Sequence, residues 1–156
     1  MNPCPFCPGE ADAMTFASAP GIRALINLKP ILPGHSLIVP DRHVARLLDL
    51  ADLEVASLAA FARNVSALLV NVFNAAGMDW TLQDGPEAGQ TVMHLHLHLI
   101  PRLAGDLPNP GDWYPALRQA QAGGSDVRPA LSAAECRTIV ARLRAAAADP
   151  EMLRQP

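Results

Sequence analysis

An α+β fold, a mostly antiparallel sheet of about five strands with two principal helices, is the architecture this sequence predicts. Three patterns carry that prediction. Two β-prone segments flank a Pro/Gly turn, one long segment has helical apolar periodicity, and one segment alternates strictly. The chain has 156 residues, half of them hydrophobic and 17% charged. That composition is globular, and the length suits one domain able to bury a core without obligatory disulfides or metal. The expected plan is a core over residues 1–103, a Pro/Gly-rich loop over 104–130 and a C-terminal helix over 131–149.

Residues 1–20, rich in Pro, Ala and Gly, read as loop with at most a short strand or turn. Residues 23–29 (RALINLK) and 35–39 (HSLIV) read as strands. Pro30 and Pro33-Gly34 lie between them, so the pair is expected to form an antiparallel hairpin. Over 52–75, Leu58, Phe61, Val65, Leu68 and Val72 recur at spacings of three and four, which marks one face of a helix. Asp52 is expected to cap its start and Gly77 to close its end. Residues 79–83 form a short strand candidate, and 84–89 a tight polar loop. Residues 90–100 alternate, with Pro101 expected to stop the strand. Ser132-x-x-Glu135 fits a capping box, with Leu131 and Cys136 as a hydrophobic staple, and opens a helix running to Ala148. Four prolines and Gly123-Gly124 make 104–129 a partly mobile loop.

Several function classes are disfavoured. The formal net charge is −3, which argues against a nucleic-acid partner. No uninterrupted apolar run reaches the roughly 18 residues of a bilayer span, so no membrane is expected. The N-terminus lacks a basic n-region and an apolar h-region, which points to the cytoplasm. Three cysteines, an odd number, do not suggest a disulfide framework. No G-x-x-x-x-G-K-[ST] string is present.

Three of the five histidines stand at 94, 96 and 98, in MHLHLHLI. On a strand their rings share one face about 6.5–7 Å apart, while Leu95, Leu97 and Leu99 face the core. Three imidazoles on one face are costly to bury without a use. A solvated polar face and a metal site remain the other readings. One metal taking all three is disfavoured, since ligand nitrogens sit about 2 Å from zinc.

The segment from Gln83 to Arg102, QDGPEAGQTVMHLHLHLIPR, resembles the histidine triad family, and within it the fragile histidine triad branch of dinucleoside polyphosphate hydrolases. Residues 27–40, NLKPILPGHSLIVP, resemble the same branch. The resemblance spans residues 23–102. It implies the HIT-like fold and hydrolysis of a substrate such as diadenosine triphosphate or tetraphosphate. His96 would attack the α-phosphate to form a nucleotidyl-histidine. His98 would donate to a non-bridging oxygen, and His35 would support the row. The resemblance further places Asn27 on the ribose and Gln83 and Gln90 near the phosphate chain and leaving group. Thr91 would touch phosphate. Leu25 and Leu37 read as core. The nucleotide is the implied substrate and a second copy of the chain the implied partner. Magnesium would accompany the substrate phosphates. Phosphorolysis, phosphoramidase action and a nucleotide-binding module remain alternatives. In the related uridylyltransferase branch the third triad position is typically Gln; here it is His98, which favours the hydrolase type.

Cys4-Pro-Phe-Cys7 departs from the fragile histidine triad pattern. Read alone, it suggests a zinc half-site, free thiols or a redox pair. Other branches of the superfamily carry such a pair with a histidine after a Pro-x-x-His string. Pro40-Asp-Arg-His43 supplies one here. The ligand set implied is Cys4, Cys7, His43 and His94 around a structural zinc. Cys136 reads as core filler. Trp113-Tyr114 would lie over a nucleotide or against the partner subunit.

Overall fold

The computed structural model describes residues 3–115 and 128–153. Its frame is one five-stranded sheet with every neighbour pair antiparallel. The strands are β1 (Thr15–Ala19), β2 (Ile22–Ile26), β3 (Ser36–Pro40), β4 (Gly77–Leu82) and β5 (Leu97–Arg102), in spatial order β1-β2-β3-β5-β4. Two principal α-helices accompany them among the described residues, α1 (Asp52–Phe73) and α2 (Ala133–Ala147).

The expected hairpin is β2–β3, in register from Ile22 opposite Pro40 to Ile26 opposite Ser36. Its connection needs Gly34. That residue has φ of +83°, and a Cβ there would lie 2.8 Å from the Phe73 ring, so both backbone angle and space exclude a side chain. β1 is the short strand that the loop-like reading of residues 1–20 allowed. It pairs with β2 across Pro20-Gly21, where Gly21 has φ of +78°, the left-handed position that a Pro-Gly turn supplies. A five-residue strand with one large side chain, Phe16, leaves little periodic signal.

β5 differs most from expectation. It begins at Leu97, not at residue 90, and Pro101 does not end it. β5 pairs with β3 from Ser36↔Leu99 to Ile38↔Leu97, and with β4 as far as Arg102. Residues 94–96 are therefore coil, held at the sheet by the Leu95 amide donating to Val44 O at 2.7 Å. The alternation of faces persists. Leu95, Leu97 and Leu99 join the core beneath α1 and α2. A second, smaller apolar group on the opposite face contains Leu25, Leu37 and Val39, packed by Phe6 and Met14.

α1 starts one residue earlier in its capping than expected. Ala51 is the N-cap, and Glu54 accepts its amide at 2.8 Å. Asn74, in the left-handed region at φ 52°, closes the helix, while Gly77 opens β4; Asn tolerates that conformation better than most side chains. The helix is also long and apolar enough to match a bilayer in length and composition. A search for an unbroken apolar run misses it because Arg63, Asn64 and Ser66 interrupt it. Leu58, Val65, Leu68 and Val72 pack into the core, as a soluble core helix does.

α2 opens with the expected capping box: Glu135 accepts the Ser132 amide at 2.8 Å and Ser132 Oγ accepts the Glu135 amide at 3.3 Å. Leu131 and Cys136 pack together at the core margin. The described part of the 104–130 region is anchored by Arg102, which donates to Asp79, to Asp106 and to Pro110 O. The Arg102 hydrogen bond holds the Asp106 carboxyl down at about 2. The rest of that region, including Gly123-Gly124, lies outside the described residues.

Candidate active site and metal cluster

The histidine row sits on the sheet face opposite α1. His94, His96 and His98 are all buried, and so is His35. The hydrogen-bond network assigns a tautomer to each ring. His96 Nδ1 lies 2.7 Å from the backbone oxygen of His94. A carbonyl only accepts, so Nδ1 carries the proton and Nε2 keeps its lone pair. Burial lowers the His96 pKa, against the opposing effect of that hydrogen bond, and keeps the ring neutral. A neutral imidazole with a free Nε2 can act as a nucleophile.

His35 and His98 form a relay. The Ile31 amide donates to His35 Nδ1 at 3.1 Å, so the His35 proton sits on Nε2. That nitrogen is 2.9 Å from His98 Nδ1 and donates to it. His98 therefore carries its own proton on Nε2, the remaining ring nitrogen, and can offer it to an anion. Burial, then the charge of Arg128, pushes His35 down to about 3. Burial and the neighbouring His35 lower His98 well below its ordinary value. Asn27 Nδ2 makes a longer contact of 3.3 Å to His35 Nε2, and Asn27 Oδ1 accepts the Lys29 amide.

A cleft of about 260 Å³ opens over this face, lined by Asn27, Thr91, His96 and His98 among others. Leu25 and Leu37 are buried in the second apolar group and also wall the cleft. Gln83 is buried beside His98 through Thr81, its amide bonded to Thr81 Oγ1 while the other amide atom has no partner. Either amide orientation leaves one polar atom for a ligand. Gln90 is different. Its Oε1 accepts the Gly85 amide and its Nε2 donates to Ala45 O. Both ends are engaged, so Gln90 braces the 84–89 loop, and each end keeps a second hydrogen-bonding position, the other Oε1 lone pair and the other Nε2 hydrogen. Neither glutamine lines the cleft.

At the other end of the row, Cys4, Cys7, His43 and His94 place their four donor atoms within 4.8 Å of one another. Cys4 Sγ and Cys7 Sγ lie 3.4 Å and 3.7 Å from His94 Nδ1, and Cys7 Sγ lies 3.4 Å from His43 Nδ1. A tetrahedral zinc with bonds of about 2.3 Å to sulfur and 2.0 Å to nitrogen has sulfur–nitrogen edges of about 3.5 Å. The donor set therefore fits a metal. The second shell fits as well: His94 Nε2 donates to Pro40 O at 2.9 Å, which turns the Nδ1 lone pair toward the thiols. Burial, then Cys4, raises the Cys7 thiol, so a cation is what would draw this sulfur to thiolate.

Residues 8–105 match the HIT domain. The chain belongs to the HIT family. Among its relatives, a bifunctional bis(5'-adenosyl)-triphosphatase/adenylylsulfatase of Arabidopsis thaliana is 40% identical over 106 residues, 68% of this chain and 59% of that protein. An asymmetrical bis(5'-nucleosyl)-tetraphosphatase of Schizosaccharomyces pombe is 48% identical over 83 residues, 53% of this chain and 46% of that protein. An AP-4-A phosphorylase of Mycobacterium tuberculosis is 38% identical over 98 residues, 62% of this chain and 50% of that protein. The chain thus spans about half the length of the curated relatives it matches. Among solved structures, a Zn-bound histidine triad family protein from Mycobacterium smegmatis superposes with a TM-score of 0.68 at 26% identity, covering 90% of this chain and 87% of that one.

Three residues of this HIT protein's site escaped the sequence reading. Phe6, between the two thiols, packs on His96 with ring centroids 5.1 Å apart; its place inside C-x-x-C was the available signal. Arg23, a buried cation on an apolar strand, donates to Phe6 O at 2.9 Å and to Asp41 at 2.6 Å, and so holds the N-terminal loop on the sheet. Arg128 lines the cleft from a segment with no motif. Trp113 and Tyr114 stack edge-to-face on each other, and neither lines the cleft.

Proposed function

We propose that this protein hydrolyses dinucleoside polyphosphates at the α-phosphate through His96. The observation that carries the reading is the His96 Nδ1 hydrogen bond to His94 O, which leaves Nε2 unprotonated and facing the cleft side of the sheet. The relatives named as triphosphatase and tetraphosphatase support the substrate class. In the first step His96 Nε2 forms a bond to the α-phosphorus as the bond from that phosphorus to the bridging oxygen breaks, releasing the second nucleotide. His98 Nε2–H, supplied through His35, donates to the phosphoryl oxygen as charge builds there. Water then attacks the phosphorus and displaces His96, yielding a nucleoside monophosphate. Asn27 takes the ribose hydroxyls and Thr91 the phosphates, with Gln83 and Gln90 reaching the phosphate chain and leaving group from just outside the cleft lining. No carboxylate is among the described residues that line the cleft, so magnesium would arrive on the substrate and not on a protein site.

The metal is zinc, held by Cys4, Cys7, His43 and His94; when bound it neutralises the thiolates and ties the N-terminal loop to the sheet. The assembly is a homodimer, a reading supported by the open outer edge of β4 with half-exposed Trp80; a sedimentation coefficient for one copy would overturn it.

Hydrolysis of diadenosine triphosphate in water enriched in heavy oxygen tests the reaction. Label is expected in AMP alone. Label in ADP would place attack on the β-phosphorus and overturn the His96 step. Phosphorolysis is the second reading, favoured by the AP-4-A phosphorylase relative. It predicts unlabelled products that form only when inorganic phosphate is added.

A further inference from the structure

Arg128 is the cation that the chemistry above leaves unused. It lines the cleft together with Asn27, Lys29, His96 and His98. Its segment is joined to the opposite wall by the Leu131 amide, which donates to Leu28 O at 2.8 Å. A residue 101 positions beyond Asn27 is thereby set at the rim of the nucleotide site. The protein has 15 acidic and 12 basic residues, yet the described cleft lining has two cations and no carboxylate. Both cations already interact within the chain, and both are groups that an anionic ligand can engage.

We propose that Arg128 is a further substrate-binding residue, its guanidinium taking a non-bridging oxygen of the nucleotide's α-phosphate from the side of His98. The inference rests on the nucleotide reading of this cleft. A guanidinium suits the task because it stays charged and presents paired donors to phosphate oxygens. Its charge reaches the two relay rings, since Arg128 is among the causes that lower His35 and His98. Arg128 thus favours the neutral His35–His98 pair, in which His98 is a donor of one fixed proton, and itself supplies the positive charge that the phosphate needs.

The test is direct binding of AMP and of adenosine to the full chain by calorimetry, for wild type, Arg128→Gln and Arg128→Lys. Arg128→Gln is expected to weaken AMP about tenfold while adenosine changes less than about twofold, since a charged hydrogen bond to phosphate is lost. Arg128→Lys is expected to recover part of the AMP affinity and keeps the test decisive if the Gln variant misfolds. Unchanged AMP affinity in Arg128→Gln overturns this inference alone, as does an equal loss for AMP and adenosine, which would mark a merely structural residue. A wild type that binds adenosine as tightly as AMP overturns the nucleotide-phosphate reading of the cleft, and this inference with it.

Discussion

His94 and His96 stand two residues apart, both buried on one face, and their rings are turned in opposite senses. His94 spends Nε2 on Pro40 O and offers Nδ1 to the two thiols. His96 spends Nδ1 on His94 O and leaves Nε2 toward the cleft. In each case a backbone carbonyl selects the tautomer, and the other nitrogen receives the task. The carbonyl of His94 links the two, because the metal-cluster histidine supplies the acceptor that orients its neighbour. Phe6 adds a second link, since it sits between the thiols and packs on His96. One residue type on one face thus presents a nitrogen to the thiol pair at one end and a free nitrogen to the cleft at the other. Burial and the choice of acceptor carbonyl decide which.

The largest effect expected from breaking this comparison is at its chemical end. His96→Asn should lower kcat by about three orders of magnitude or more, while AMP affinity stays within a few-fold, as measured by turnover of diadenosine triphosphate and by calorimetry. Turnover near the wild-type rate would remove His96 from the bond-forming step.

The structural end should respond differently. Cys4→Ser is expected to abolish stoichiometric zinc and to lower Tm by about 10 °C, the scale of losing several kcal/mol in a domain of this size. Below its Tm the variant should keep kcat within about tenfold of wild type. A loss as deep as that of His96→Asn would show that the two ends act as one unit, through Phe6 and the His94 carbonyl. Retention of one zinc per chain would displace Cys4 from the ligand set.

The smallest and broadest effect is on pH. His35 ordinarily titrates near 6.5 and is pushed to about 3 here, with His98 lowered in the same direction. Between those values the unfolded chain takes up protons that the folded chain refuses, so stability is full above pH 6.5 and falls as pH drops toward 3. Turnover should share this acid limb and stay flat through neutral pH, because neutral rings are the working forms. A denaturation series from pH 7.5 to 4 in which stability rises toward acid would contradict the neutral relay.

Much of this arrangement was legible before any coordinates. The Leu/His alternation over 94–99 placed the rings on one face and the leucines in the core, because side-chain direction depends only on local backbone geometry. The same holds for the Ser132–Glu135 capping box and for the 58–72 stripe of α1. Legibility ended where a residue's partner is distant. β5 begins at Leu97 because β3 and β4 supply partners only from there, and nothing in residues 90–96 announces this. Nothing local to Gln90 announces that it braces the 84–89 loop through Ala45 O and the Gly85 amide.

By itself, the sequence determined the chemical inventory: a row of imidazoles, a thiol pair, a histidine after Pro40, and the periodicities that form strands and helices. Tertiary structure decided what each group does. The acceptor of His94 lies 54 residues away and the donor that sets His98 lies 63 residues away. Arg128 lines the cleft from a segment that the Leu131 amide ties to Leu28 O. Local pattern encodes direction, but a tautomer, a lowered pKa and a metal cluster arise from burial and from contacts between distant segments, which no short window of sequence contains.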